Sequence, residues 1–196
     1  MIKAVIFDCF GVLVKSSLEP FIVEHFASQP DKIAEMRRLD SLANRGIIPW
    51  QEFQQATAVL LGQTSQQVWD ELDDNPPNLE LFAYISEKLK PRYKIGFLSN
   101  ASDDWMNDLF TQEQRGLLDD VVLSFQVGIA KPDKEIFQLA ANRLDVLPDE
   151  CIFIDDIACY CDAAREVGME AIQYDDFDEF RGKIQRLTTE SVHAHN

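Results

Sequence analysis

Basic residues are scarce in this chain of 196. Lysine and arginine total 18 against 34 aspartates and glutamates, a formal net charge of −16. A surface so negative repels phosphodiester backbones and anionic headgroups, which argues against nucleic-acid and membrane partners. Long apolar runs are missing as well: none approaches the ~18 residues of a membrane-spanning helix. The N-terminal apolar segment, Ala4 to Phe7, is short, ends in an acid and lacks a small-residue cleavage site, so it does not read as a signal peptide. The four cysteines, Cys9, Cys151, Cys159 and Cys161, give no secreted disulfide framework. Cys159 and Cys161 form a C-x-C pair, but no histidine lies near them, and His193 and His195 sit in a polar tail. Buried thiols in a reducing cytoplasm account for them better than zinc does. There is no internal repeat and no low-complexity segment. These absences leave a cytoplasmic protein, expected as a monomer or homodimer.

What is present is globular. Hydrophobic residues at 46% and charged residues at 27% suit a packed domain, and the length allows one domain or one domain with an insert. Short apolar runs recur at Ala4 to Phe7, Ile95 to Leu98, Val121 to Leu123, Ile152 to Ile154 and Ala171 to Ile172. Between them lie helical patterns. Leu81, Phe82, Ile85 and Leu89 share one helix face, and Ile136, Phe137, Ala140, Ala141 and Leu144 share another. The stretch Cys159 to Val167 ends at Gly168, suited to a helix C-terminus. Continuous apolar strands alternating with helices predict an α/β fold, a Rossmann-like parallel sheet with helices on both faces.

The segment from about Ser16 to Asn78 breaks the rhythm. It contains no convincing strand, and helical stretches fall at Glu19 to Ala27, Asp31 to Asn44, Trp50 to Leu61 and Ser65 to Leu72. The run Asp73 to Asn78 then returns the chain to the sheet. The expected division is a core of residues 1–15 and 79–187, a small all-helical cap over 16–78 after the first strand, and a polar tail over 188–196.

Ligands of open parallel sheets bind beyond the carboxyl ends of the strands. The polar residues ending each run therefore converge. These are Asp8, then Ser99 and Asn100, then Lys131 in the loop IAKPD, and last Asp155 with Asp156. Each alone is ordinary. Together they offer a nucleophilic carboxylate, a hydroxyl, an ammonium and an acidic pair that repels itself unless a cation offsets it. That set suits phosphate chemistry.

The stretches VIFDCFGVL, GFLSNAS, AKPDKEIFQLA and FIDDIACYCDAAREVGM resemble the haloacid dehalogenase-like (HAD) hydrolases, from Met1 to about Tyr174. The phosphatase members with a helical cap after the first strand fit best. The resemblance implies a phosphatase of small phosphorylated metabolites. Asp8 would be the nucleophile that becomes an aspartyl phosphate, Ser99 would bind the transferring phosphoryl group and Lys131 would bridge it to Asp8. Magnesium would be held by Asp8, the backbone carbonyl of Phe10 and Asp156, supported by Asp155. Asn100 is expected near the substrate, and Arg37 and Arg38 of the cap, with Arg45, could greet a second anionic group or pair with surface acids.

Two positions depart from the family pattern. Phe10 stands where the phosphatases usually carry a second aspartate, which protonates the leaving alcohol and then activates water. Tyr160 stands where many relatives have asparagine. Phe10 fits two other readings, a true 2-haloacid dehalogenase and a phosphate-binding or regulatory relative without turnover. Val12, Phe137 and the retained acidic pair oppose the dehalogenase.

Overall fold

The computed structural model describes residues 1–72 and 75–193. Strands β1 (Ala4–Phe7), β2 (Lys94–Ser99), β3 (Asp120–Leu123), β4 (Cys151–Asp155) and β5 (Glu170–Gln173) form one parallel sheet in the order β3-β2-β1-β4-β5. The expected strands are all present. Their continuous apolar character follows from burial on both faces: Val5 and Phe7 enter one core with Ile152 and Ile154, whereas Ala4 and Ile6 enter the other with Cys151 and Phe153.

Helices cover each face. The first core is closed by α5 (Leu79–Tyr84), which runs on through a π turn at Ile85–Leu89, and by α11 (Phe177–His193). The second is closed by α9 (Lys134–Arg143) and α10 (Ala158–Glu166). Helix α11 carries Phe177, Phe180, Ile184 and Leu187 at helical spacing against the first core. It continues through the polar stretch from 188 to His193, and residues 194–196 of the expected tail lie outside the described residues.

Between β1 and α5 the chain forms α1 (Leu18–Phe26), α2 (Pro30–Asn44), α3 (Trp50–Leu61) and α4 (Ser65–Leu72). These helices bury a core of their own, including Phe21, Phe26, Met36, Phe53 and Val68. Asp73 and Asp74 of the return run lie outside the described residues. Entry and exit of the helical segment run side by side: Lys15 N donates to Pro76 O at 3.1 Å, and Asn78 N donates to Leu13 O at 2.8 Å. Asn78 also caps α5 by accepting from Leu81 N, and its amide donates to Val12 O and to the Tyr174 hydroxyl.

The chain leaves β1 toward β2 on one side and meets β4 on the other. The gap between β1 and β4 is therefore a topological switch point, where such sheets bind ligands.

Candidate active site

Asp8 directly follows β1, and Ser99 and Asp155 end β2 and β4. All three are buried, as is Lys131 at 3% exposure, so the carboxyl ends of three strands gather polar groups that a core would otherwise exclude. Lys131 Nζ lies 2.7 Å from Asp8 Oδ1 and 2.6 Å from Asp155 Oδ2. It also lies over the rings of Tyr160, at 5.0 Å, and Phe153, at 5.5 Å. Burial works against its charge, but the two carboxylates more than offset that and hold the ammonium on.

The acidic pair divides its labour. Asp155 spends one oxygen on Lys131 and the other on the backbone N–H of Ile157, at 2.9 Å. Asp156 Oδ1 is buried with no hydrogen-bond partner. Gly11 has φ +89°, and a β-carbon there would overlap the Asp156 carboxylate. Glycine is thus required twice, by backbone conformation and by the approach of Asp156. The turn after β1 and the acidic pair after β4 are one structure.

Oxygens of Asp8, Asp155 and Asp156 lie within 4.8 Å of one another. Three carboxylates against one ammonium leave a formal surplus of two negative charges in a half-dry pocket. Burial pushes Asp8 up to about 7 despite Lys131, with Asp155 adding to the push, and burial likewise raises Asp156. This all-oxygen donor set could hold a divalent cation, and magnesium suits such ligands. Among the described residues no other cluster of histidine, cysteine and acids is close enough to share an ion. Burial raises the thiols of Cys9, Cys151 and Cys161, which suits packing rather than metal ligation.

A family model described as haloacid dehalogenase-like hydrolase matches residues 2–168. The chain belongs to the haloacid dehalogenase-like hydrolases. This hydrolase is 26% identical over 202 residues to D-ribitol-5-phosphate phosphatase of Bacteroides thetaiotaomicron, covering 94% of the chain and 97% of the relative. It is 43% identical over 110 residues to a phosphatase of Mycobacterium tuberculosis, covering 52% of the chain and 48% of the relative. A HAD family enzyme of B. thetaiotaomicron, solved in complex with magnesium and inorganic phosphate, superposes with a TM-score of 0.70 at 25% identity, over 92% of this chain and 99% of that one.

Asn100, Arg37 and Arg38, expected near the substrate, have the following surroundings. Asn100 has its amide fully engaged: Oδ1 accepts from Lys131 N at 2.8 Å, and Nδ2 donates to Lys131 O at 3.0 Å and the Tyr160 hydroxyl at 3.3 Å. It positions Lys131. Arg37 and Arg38 are exposed and paired with Glu19 and Glu35 of their own helical segment, so these contacts give them surface partners and no part in the acidic cluster. Arg45 does reach the sheet domain, in a bidentate pair with Asp133 at the start of α9.

Phe10 is half-buried, with its ring edge-on to Trp105 at 5.9 Å. Ser124, absent from the expected site, is fully buried and clamps the loop after β2 by accepting from Ala101 N and donating to Ala101 O. Its only signal in sequence is a hydroxyl closing the run VVLS.

Proposed function

We propose that this HAD-like hydrolase is a magnesium-dependent phosphatase of small phosphorylated metabolites, acting through an aspartyl phosphate at Asp8. The observation that carries the reading is the partnerless buried oxygen of Asp156 beside two further carboxylates, both of them bonded to Lys131. Asp8, Asp156 and the Phe10 carbonyl would hold the ion, with Asp155 anchoring Lys131 next to them. Bound magnesium supplies positive charge that neutralises the phosphate and offsets the crowding of carboxylates.

The chain's own residues do the rest. An Asp8 oxygen attacks phosphorus, forming the Asp8–phosphorus bond as the bond to the leaving oxygen breaks. Lys131 and the Ser99 hydroxyl stabilise the charge on the phosphoryl oxygens. Water then attacks phosphorus, releasing phosphate and restoring Asp8. No carboxylate at position 10 is available to protonate the leaving oxygen or activate the water, and such help is typically worth ~100 to 10,000-fold. The enzyme therefore depends on leaving groups that depart readily. The helical unit over 16–78, with its own core and paired entry and exit segments, serves as a cap on the core of 1–15 and 79–187.

The test is the rate of phosphate release from p-nitrophenyl phosphate with and without magnesium. Wild type should turn over only with the ion, and Asp8→Asn should lose turnover. Equal rates with and without magnesium would refute the proposal.

A further inference from the structure

A cavity of about 330 Å³ opens where α3 and α4 face the loop after β2. All three tryptophans of the chain, Trp50, Trp69 and Trp105, line it. Trp50 stands 5.6 Å from Trp69 at 73° and 5.1 Å from Trp105 at 81°. Near-perpendicular planes set the edge of one indole against the face of another and leave angular corners between the rings. Each indole is half-buried, and Trp50 also stacks on Phe53 at 5.1 Å.

The polar part of the wall has one sign. Asp103, Asp104 and Asp108 line the same cavity, and none of them is in an ion pair among the described residues. Asp103 and Asp104 each accept only a local backbone N–H, from Asp104 and Met106. The cavity adjoins the candidate active site through Trp105, which touches Phe10 two residues beyond Asp8. Three aspartates near a phosphate site repel an incoming dianion unless the rest of the substrate is positive. Aromatic faces and unpaired carboxylates together select an organic cation.

We infer that this cavity binds an ammonium or quaternary ammonium group, and that the substrate is a phosphomonoester of a cationic alcohol. The second half of the inference rests on the phosphatase reading; the cation site does not. It also resolves the difficulty set by Phe10. A positive charge near the departing oxygen stabilises the alkoxide, so a cationic alcohol leaves more readily than a neutral one without a protein acid.

The tryptophans report the cavity directly, because no other lies in the chain. Their fluorescence is followed while tetramethylammonium, or neutral tert-butanol, is titrated into wild type and into the triple variant Asp103→Asn/Asp104→Asn/Asp108→Asn. Tetramethylammonium should quench saturably, about tenfold more weakly in the variant, and tert-butanol should not saturate. Equal response to both probes, or equal affinity in wild type and variant, overturns the cation site. In parallel, kcat/KM for phosphocholine should exceed that for glycerol phosphate by about tenfold in wild type, and the ratio should collapse in the variant. If p-nitrophenyl phosphate is hydrolysed but phosphocholine is no better than glycerol phosphate, the substrate class is wrong and the phosphatase reading stands. If tetramethylammonium binds but no phosphate ester is hydrolysed, the phosphatase reading and with it the substrate class fall, and the cation site stands.

Discussion

Asn100 grips both main-chain polar groups of Lys131: its side-chain Oδ1 accepts from the Lys131 N–H at 2.8 Å and its Nδ2 donates to the Lys131 carbonyl at 3.0 Å. The loop that delivers the ammonium to Asp8 and Asp155 is thereby fixed to the end of β2. Asn100→Ala removes both bonds, each worth about 1 kcal/mol. The fold should survive and kcat should fall by ~10 to 100-fold, as expected when a catalytic group is misplaced by a fraction of an ångström. Steady-state kinetics decide: a rise in KM with unchanged kcat would make Asn100 a substrate contact instead.

Gly11→Ala tests the join between the β1 turn and the acidic pair. The residue has φ +89° and its added methyl would overlap Asp156. The strain costs on the order of 1–3 kcal/mol, and each kcal/mol lowers Tm by roughly 2–4 °C at this chain length. Magnesium binding, read by titration calorimetry, should weaken along with Tm. A variant with wild-type Tm and wild-type magnesium affinity would separate the two motifs.

The helical unit carries a pH-dependent element of its own. Burial pushes the Asp40 carboxyl up to about 7 from 3.8, the nearby Glu19 adds to the push, and the amide of Asn44 opposes it. Between pH 4 and 7 the folded state then holds a proton that the unfolded chain releases, so stability declines as pH rises through that window. Asp40→Asn keeps an acceptor for Asn44 and removes the charge. It should raise stability by on the order of 1–3 kcal/mol at pH 8, with little effect near pH 4. Thermal unfolding at the two pH values checks this, and a gain independent of pH would contradict it.

Much of this was legible in sequence because three of the five strands lead directly into a residue that matters. The runs stopping at Asp8, Ser99 and Asp155 gave strands, sheet type and the convergence of their polar ends, since burial on both faces forces apolar continuity until the site begins. The helix Phe177–His193 was not read from sequence, although Phe177, Phe180, Ile184 and Leu187 carry its spacing, because its polar surface reads as a tail. The helices Met106–Leu109 and Gln112–Arg115 were not either, because four residues barely exceed one helical period. Pairing across segments was hidden too. Arg38 with Glu35 follows from their spacing on one helix, whereas Arg37 with Glu19 and Arg45 with Asp133 need the fold. The engagement of Asn100 with Lys131, 31 positions away, is of the same kind.

Phe10 should set the rate profile. Its ring packs on Trp105 and offers no proton, so hydrolysis should depend steeply on leaving-group basicity, with aryl and acyl phosphates cut faster than sugar phosphates. Phe10→Asp should accelerate neutral alkyl phosphates by up to ~100 to 10,000-fold. A wild type that cleaves aryl and sugar phosphates at similar rates, with no gain in the variant, would mean that another group supplies the proton.

A phosphoryl group carried by Asp8 is the intermediate on which the proposed reaction turns. Rapid mixing with p-nitrophenyl phosphate and magnesium, quenched in acid and followed by peptide mass spectrometry, reads it directly. Wild type should give a burst of nitrophenol of one equivalent per chain, slow turnover afterwards, and a phosphoryl adduct on the peptide containing Asp8 that is absent from Asp8→Asn. Turnover with no adduct, or an adduct that persists in Asp8→Asn, would contradict that intermediate.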